Sequence, residues 1–256
     1  MSMPVGVVLN GLGLVWIVNT SVSFHVLAMD LTTIVLVTPD AQRTMITSLG
    51  AATTLEINDL DATAIAGTQY LYIEGYLVSS PSTFEAAKHA IKIAKGTDQI
   101  TTDQEAGAEE NATATKQQNV TVALSFSDPA IVANHKAQLQ ELIDLGVDII
   151  FCNNDEALEW ANTKDLNAAM EAIGEQAKLV LITKGEQGSV VLDNGAKSII
   201  PPFRVDAIDT TGAGDMYAGA FLHARLNKMN IQQAATFAGF ASSRIVNVSG
   251  PRLDYE

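Results

Sequence analysis

The chain has a single cysteine, Cys152, in 256 residues, so no disulfide can form within it and a disulfide-stapled scaffold is excluded. Cys152 closes an apolar run over 147–152 that reads as a buried strand, and its thiol is expected to be a core group in a reducing, cytoplasmic setting. Basic residues are also scarce. Lys and Arg number 15 against 29 Asp and Glu, a formal charge of −14, and that balance lacks the basic footprint that nucleic-acid phosphates demand. The four histidines, His25, His89, His135 and His223, have no ligand spacing and predict no metal site of their own. No Gly-x-x-x-x-Gly-Lys-Ser/Thr occurs, and the Gly-x-Gly starts at Gly11 and Gly212 lack a third glycine, which excludes a P-loop and a dinucleotide fingerprint. The first 29 residues contain no Lys, Arg, Asp or Glu. A signal peptide opens on a basic region, which is missing here, and Asn-Gly-Leu-Gly at 10–13 reads as a turn between two short strands rather than part of a membrane span.

What is present is a run from Asp209 to Asp215, Asp-Thr-Thr-Gly-Ala-Gly-Asp, followed by an Ala- and Leu-rich stretch without proline. The glycines therefore sit where a loop enters a helix. Gly212 and Gly214 let backbone N–H groups converge with the positive end of the helix dipole, an arrangement that suits phosphate. A carboxylate beside such a site repels phosphate, so Asp215 is expected to act as a base on a hydroxyl that attacks phosphorus. The plainer alternative is a helix start capped by Thr210 or Thr211, with Asp215 complementing the dipole. Asn153 and Glu156 pose a similar choice just past a strand. They suit either a capping box or a magnesium site reached through the ion's water shell. Lys184 reads as solvated surface, and the backbone of 183–188 is the better candidate for a phosphate contact.

Gly212 to Asp215 matches the Gly-Ala-Gly-Asp signature of the ribokinase-like (PfkB-type) carbohydrate and nucleoside kinases, and other segments agree in order. Val-Thr-Pro-Asp-Ala-Gln-Arg-Thr-Met at 37–45 and Tyr-Ile-Glu-Gly-Tyr-Leu at 72–77 resemble the adenosine-kinase-like branch. Ser-Asp-Pro at 127–129, Asn-Asn-Asp-Glu at 153–156, Thr-Lys-Gly-Glu-Gln-Gly at 183–188 and Gly-Pro-Arg at 250–252 fit the wider family. The resemblance implies ATP and Mg2+ as cofactors. It implies catalysis by Asp215 with Gly212, Ala213 and Gly214 as an anion hole, and nucleotide contacts from Asn153, Thr183, Gly185, Gly188, Thr211, Gly212 and Gly214. It further implies metal contacts from Glu156 and Asn153, and a substrate contact from Arg43. Adenosine is the first acceptor it suggests, and ribose or fructose the second.

Strands are predicted near 33–38, 70–73, 120–125, 147–152, 179–183 and 189–192, with helices over 81–95, 129–146, 164–176, 213–227 and 231–247. That alternation predicts an α/β fold with a doubly wound, largely parallel sheet and ligands at the carboxyl ends of its strands. The division expected is an atypical apolar segment over 1–30 and a kinase domain over 31–256, interrupted by a polar, exposed insertion at 96–119.

The family resemblance also implies an opening strand, a substrate-holding Asp and a Gly-Gly segment ahead of Thr33, none of which 1–30 supplies. The chain accordingly reads as the C-terminal, nucleotide-binding portion of a kinase with a different start. Gly239-Phe240 stands where relatives often carry Gly-Asn near adenine. Two functions are consistent with this, an active kinase acting on a small-molecule hydroxyl and a nucleotide-binding remnant without turnover. Self-association through an exposed sheet edge is expected in either case.

Overall fold

The computed structural model describes residues 53–97, 120–248 and 250, together with the backbone of three further strands, β1 (Val15–Val18), β2 (Thr32–Val37) and β3 (Arg43–Ser48). The elements that follow are α1 (Ala62–Ala66), β4 (Tyr70–Glu74), α2 (Pro81–Lys95), β5 (Thr121–Ser125), α3 (Pro129–Asp144), β6 (Ile149–Asn153), α4 (Asn154–Ala161) and α5 (Leu166–Gly174). After them come β7 (Leu179–Thr183), β8 (Ser189–Asp193), β9 (Ala196–Ile200), α6 (Ala213–Leu226) and α7 (Ile231–Ile245). The 1–30 segment beyond β1, the 98–119 part of the expected insertion and residues 251–252 lie outside the described residues.

A seven-stranded sheet runs in the order β1-β4-β5-β6-β7-β8-β9, and β2 and β3 form a separate two-stranded antiparallel pair. The pairings β4–β5, β5–β6 and β6–β7 are parallel, each reached through a helical crossover. The flanking pairings are antiparallel, so the sheet has a parallel centre and antiparallel margins. Loop length explains the change on one side, since 184–188 is far too short for the dozen or so residues that a parallel crossover needs. The next turn is Asn194-Gly195, both with positive φ (46° and 82°), the pair that a two-residue hairpin favours. Strand β9 was not expected because Ala-Lys-Ser-Ile-Ile alternates weakly, and its exposure matches an edge strand carrying a lysine.

Alternate side chains of the central strands feed two separate cores. Leu71, Ile73, Val122, Leu124, Ile150, Val180 and Ile182 point toward the layer of α1–α5. Tyr72, Ala123, Phe151 and Leu181 point toward α6 and α7. Helices on both faces account for the near-continuous apolar runs in these strands. Phe221 of α6 packs edge-on against Phe151, which packs edge-on against Tyr72, with ring centroids 5.7 and 6.1 Å apart. This aromatic row fixes α6 against the sheet, and removing a ring as buried as Phe221 costs about 3–5 kcal/mol.

The predicted helices appear with trimmed ends. Helix α2 keeps both of its sequence-predicted bounds, with Pro81 in its first turn and Gly96 closing it at φ 65°. Helices α1 and α4 were not predicted as such, being too short to show a clear period.

Candidate active site

The parallel strands end in one row at the carboxyl edge of the sheet. Register places Glu74 beside Ser125, and Asn153 beside Thr183. The start of α6 faces this row. Gly212 is the residue ahead of its first turn, with φ 77° in the left-handed region and no side-chain cap. Glycine is therefore needed at 212 for backbone reasons. The alternative of a helix start capped by Thr210 or Thr211 is not what forms, since Gly212 is the capping residue. Thr211 donates its N–H and its hydroxyl to Asp209 Oδ1, at 2.8 and 2.6 Å, while Gly250 N–H donates to Asp209 Oδ2 at 2.9 Å. The buried Asp209 thus latches the loop from inside. Ser242 of α7 donates to the Ala213 carbonyl at 2.8 Å, which pins the helix start from the other side.

Gly214 and Asp215 lie in the first turn and are exposed. A Cβ added at Gly214 would meet no protein atom within 4 Å. The fold itself does not require glycine there, and a helix's leading N–H groups have no intrahelical acceptor.

Across from α6, Glu74 is buried at the end of β4, and its carboxyl is pushed up to about 7. Burial is the main cause and the charge of Asp215 the second, with Glu156 adding a smaller push; hydrogen bonds from Ser127 and Tyr72 act the other way. Glu74, Asp215 and Glu156 therefore share one electrostatic neighbourhood. Burial and the neighbouring carboxylates also raise Tyr72 and Tyr76, so both phenols stay protonated and can donate. Ser127 donates to Glu74 Oε2 and accepts from Gly75 N–H, both at 2.8 Å. Glu74 was not singled out as a site residue from sequence, although a lone acid closing Tyr-Leu-Tyr-Ile was a usable signal. Ser127 gave none.

Asn153 and Glu156 form a complete capping box at the start of α4. Asn153 Oδ1 accepts from Glu156 N–H at 2.9 Å, and Glu156 accepts from Asn153 N–H at 2.9 Å and from Asn153 Nδ2 at 2.8 Å. The capping alternative is thus realised. A carboxylate beside an amide is also the kind of pair that meets magnesium through the ion's water shell. Among the described residues no group of three or more His, Cys, Asp or Glu could hold a metal directly. Thr183 ends β7 beside this cap. The loop after it is a tight turn in which Lys184 N–H reaches the Gly188 carbonyl at 2.8 Å, with Gly185 at φ 55° and Gly188 at φ 84°. A side chain at Gly188 would strike the backbone of Ile200 and Pro202.

The sequence profile of the pfkB family carbohydrate kinases matches residues 96–256. The chain belongs to this family. Adenosine kinase of Schizophyllum commune is 29% identical over 205 residues, 71% of this chain and 53% of that protein. Ribokinase of Staphylococcus aureus (strain COL) is 38% identical over 123 residues, 45% of this chain and 40% of that protein. The crystal structure of adenosine kinase from Sinorhizobium meliloti superimposes with a TM-score of 0.76 at 29% identity, covering 86% of this chain and 62% of that one. The chain spans about half the length of the relatives it matches, and its fold is the ribokinase-like one of that structure.

Within the family fold, the carboxyl edge gathers Glu74, Asn153, Glu156, Thr183 and Asp215, with the 185–188 turn adjoining. Arg43 stands at the first position of β3, and its side chain lies outside the described residues. Phe240 is exposed on α7, packed edge-on against Phe203 at 5.6 Å with Arg244 over its ring. Among the described residues no helix is long and apolar enough to cross a membrane.

Proposed function

We propose that the chain is the nucleotide-binding and catalytic portion of an ATP-dependent kinase acting on a small-molecule hydroxyl, with adenosine the first acceptor and ribose the second. The observation that carries this reading is the open space over Gly214 at the start of α6, flanked by Asp215 on one side and Glu74 across from it. A glycine that the protein's own packing does not need is expected where a ligand approaches the backbone.

In the proposed reaction Asp215 accepts the proton of an acceptor hydroxyl as that oxygen bonds to the γ-phosphorus and the bridging oxygen–phosphorus bond to ADP breaks. Backbone N–H groups over 212–214, of which that of Ala213 donates to the Thr210 carbonyl at 3.2 Å before a ligand arrives, stabilise the charge on the transferring phosphoryl oxygens with the dipole of α6 behind them. Asn153, Thr183, Gly185, Gly188 and Thr211 line the nucleotide side. Glu156 and Asn153 would hold magnesium, which would supply charge neutralisation on the phosphates. Glu74 offers a buried carboxyl to acceptor hydroxyls on the face opposite the helix. This assigns the chemistry to positioning and electrostatics. The ribose alternative draws on the similarity to a ribokinase, and a free sugar presents the same hydroxyl chemistry to both carboxyl groups. The domain is read as 31–256, with 96–119 as an insertion and the setting cytoplasmic.

Calorimetric titration of the chain with MgATP tests the nucleotide half. Saturable heat at millimolar nucleotide is expected, and its absence together with an unshifted melting temperature would defeat the reading. ADP release with adenosine or with ribose then assigns the acceptor.

A further inference from the structure

Ser127 has φ 67°, a left-handed conformation that strains an L-residue. The other non-glycine residues of this kind among those described are Asn162, Asn194 and Lys228. Asn162 closes α4, Asn194 sits in a hairpin turn and Lys228 follows α6. Asparagine tolerates that region, and chain ends and turns favour it. Ser127 is different, since it lies between the end of β5 and the start of α3, beside the proposed acceptor site. Strained residues persist where the surroundings over-determine them, and they gather at functional positions.

The surroundings here are tight. A Cβ on Gly75 would stand 2.7 Å from the Ser125 carbonyl oxygen and 2.8 Å from that of Phe126, so the backbone after β4 rides directly on the backbone after β5. Ser127 N–H is tied to Ser125 Oγ at 3.2 Å. The left-handed turn swings the Ser127 side chain back over Glu74 and Gly75. Its hydroxyl accepts from Gly75 N–H and donates to Glu74 Oε2, so its single proton is committed to the carboxylate.

We propose that Ser127 is a positioning residue, held in a strained conformation so that its hydroxyl fixes the orientation of the Glu74 carboxylate at the carboxyl edge of the sheet. The placement of Glu74 by Ser127 stands on geometry alone, and only its bearing on acceptor binding rests on the function proposed above. The charged groups that face Glu74 are Asp215 from α6 and Glu156 from α4, with the Tyr72 phenol on its own strand. All the charges are negative. The Ser127 hydroxyl is therefore one of the few groups favouring the ionised carboxylate.

The test is a carbon-13 NMR titration of the Glu74 side-chain carboxyl in the full chain, assigned by its loss in Glu74→Gln. Deleting a hydrogen bond to the charged form should raise the midpoint by about one pH unit in both Ser127→Ala and Ser127→Gly. Ser127→Gly should melt about 2–4 °C above Ser127→Ala, since only glycine relieves the backbone. Ser127→Asn accepts the left-handed conformation and carries both a donor and an acceptor, and it should bring the midpoint back toward wild type. A midpoint unmoved in both Ser127→Ala and Ser127→Gly overturns the proposal, as does a Ser127→Gly chain no more stable than Ser127→Ala. Should Ser127→Ala fail to fold while Ser127→Gly folds, the strain is confirmed and Ser127→Gly alone decides the titration. The outcomes separate the two readings. A moved midpoint in a chain that binds no MgATP leaves Ser127 in its role and removes the kinase reading, and an unmoved midpoint beside normal MgATP binding does the reverse.

Discussion

Replacing Gly214 by alanine should make the protein more stable and a worse nucleotide binder. The residue occupies the second position of α6, is not among the glycines with positive φ, and its added Cβ would meet nothing within 4 Å. Alanine in place of glycine inside a helix gains about 0.5–1 kcal/mol, chiefly by narrowing the unfolded ensemble. For a chain of this size that gain raises the melting temperature by about 1–4 °C. The same methyl group intrudes on the surface where phosphate oxygens must come within about 2.7–2.9 Å of backbone N–H groups. Losing one charge-assisted hydrogen bond costs about 1.5–3 kcal/mol, a weakening of MgATP by roughly 10- to 150-fold. Differential scanning fluorimetry and calorimetry on the same preparation read both quantities. A variant that melts lower than wild type would show that the open space over Gly214 has been misread. One that melts higher but binds MgATP as wild type does would place the anion site somewhere other than the start of α6.

Asp215→Asn should lower phosphoryl transfer at least about a hundredfold while MgATP binds equally or more tightly, since a base and a repulsive charge are removed at constant shape; unchanged turnover would assign the base elsewhere. Glu156→Gln should raise the magnesium concentration needed for half-maximal binding of ATP while the melting temperature changes little, because glutamine can still complete the cap; an unaltered metal dependence would leave Glu156 as a cap alone. Glu74 has a folded pKa of about 7, above the ordinary 4.5, so the native state keeps a proton between those values that the unfolded chain has released. Its contribution to stability is therefore full below about pH 4.5 and declines as pH rises through 7. Glu74→Gln, which never ionises, should then exceed wild type in stability at pH 8 by on the order of 1–3 kcal/mol and lose that advantage near pH 4.5. Melts across that range that show no pH-dependent difference would refute the raised value.

The parts of the fold that were legible in the sequence are those with a strong local cause. Apolar β-branched runs gave β4–β8 nearly to the residue, and helix α2 announced both ends through Pro81 and Gly96. Strand β9 was not, because a half-exposed edge strand owes its place to the Asn194-Gly195 turn and to β8 rather than to its own pattern. The antiparallel margin at β8 and β9 follows from two short loops that the sequence displays, 184–188 and Asn194-Gly195. In the site, Gly212 to Asp215 and the pair Asn153 and Glu156 could be found because each is a contiguous motif. Glu74 and Ser127 are 53 positions apart, and their meeting depends on the pairing of β4 with β5, which no local spacing encodes. Asp209 opens the same motif, but its burial and its bonds to Thr211 and Gly250 depend on the segment after α7 closing over the loop.

The two carboxyl groups that face each other at the site are not interchangeable, and their surroundings decide which can serve as the base. Glu74 is enclosed, receives hydrogen bonds from Ser127 and Tyr72, and holds its proton to about pH 7. A group in that state is suited to exchanging hydrogen bonds with a hydroxyl and poorly suited to accepting its proton while charge builds on phosphorus. Asp215 is exposed at the first turn of α6, where the helix dipole favours a negative charge, and it adjoins the 212–214 backbone in the same short loop. A hydroxyl lying between Asp215 and a phosphoryl group held by those N–H groups would have its proton acceptor and its target on opposite sides of one oxygen. Carboxyl groups in such unlike surroundings are suited to unlike roles. Under the proposed function, these surroundings favour Asp215 as base and Glu74, steadied by Ser127, as the group that orients the acceptor.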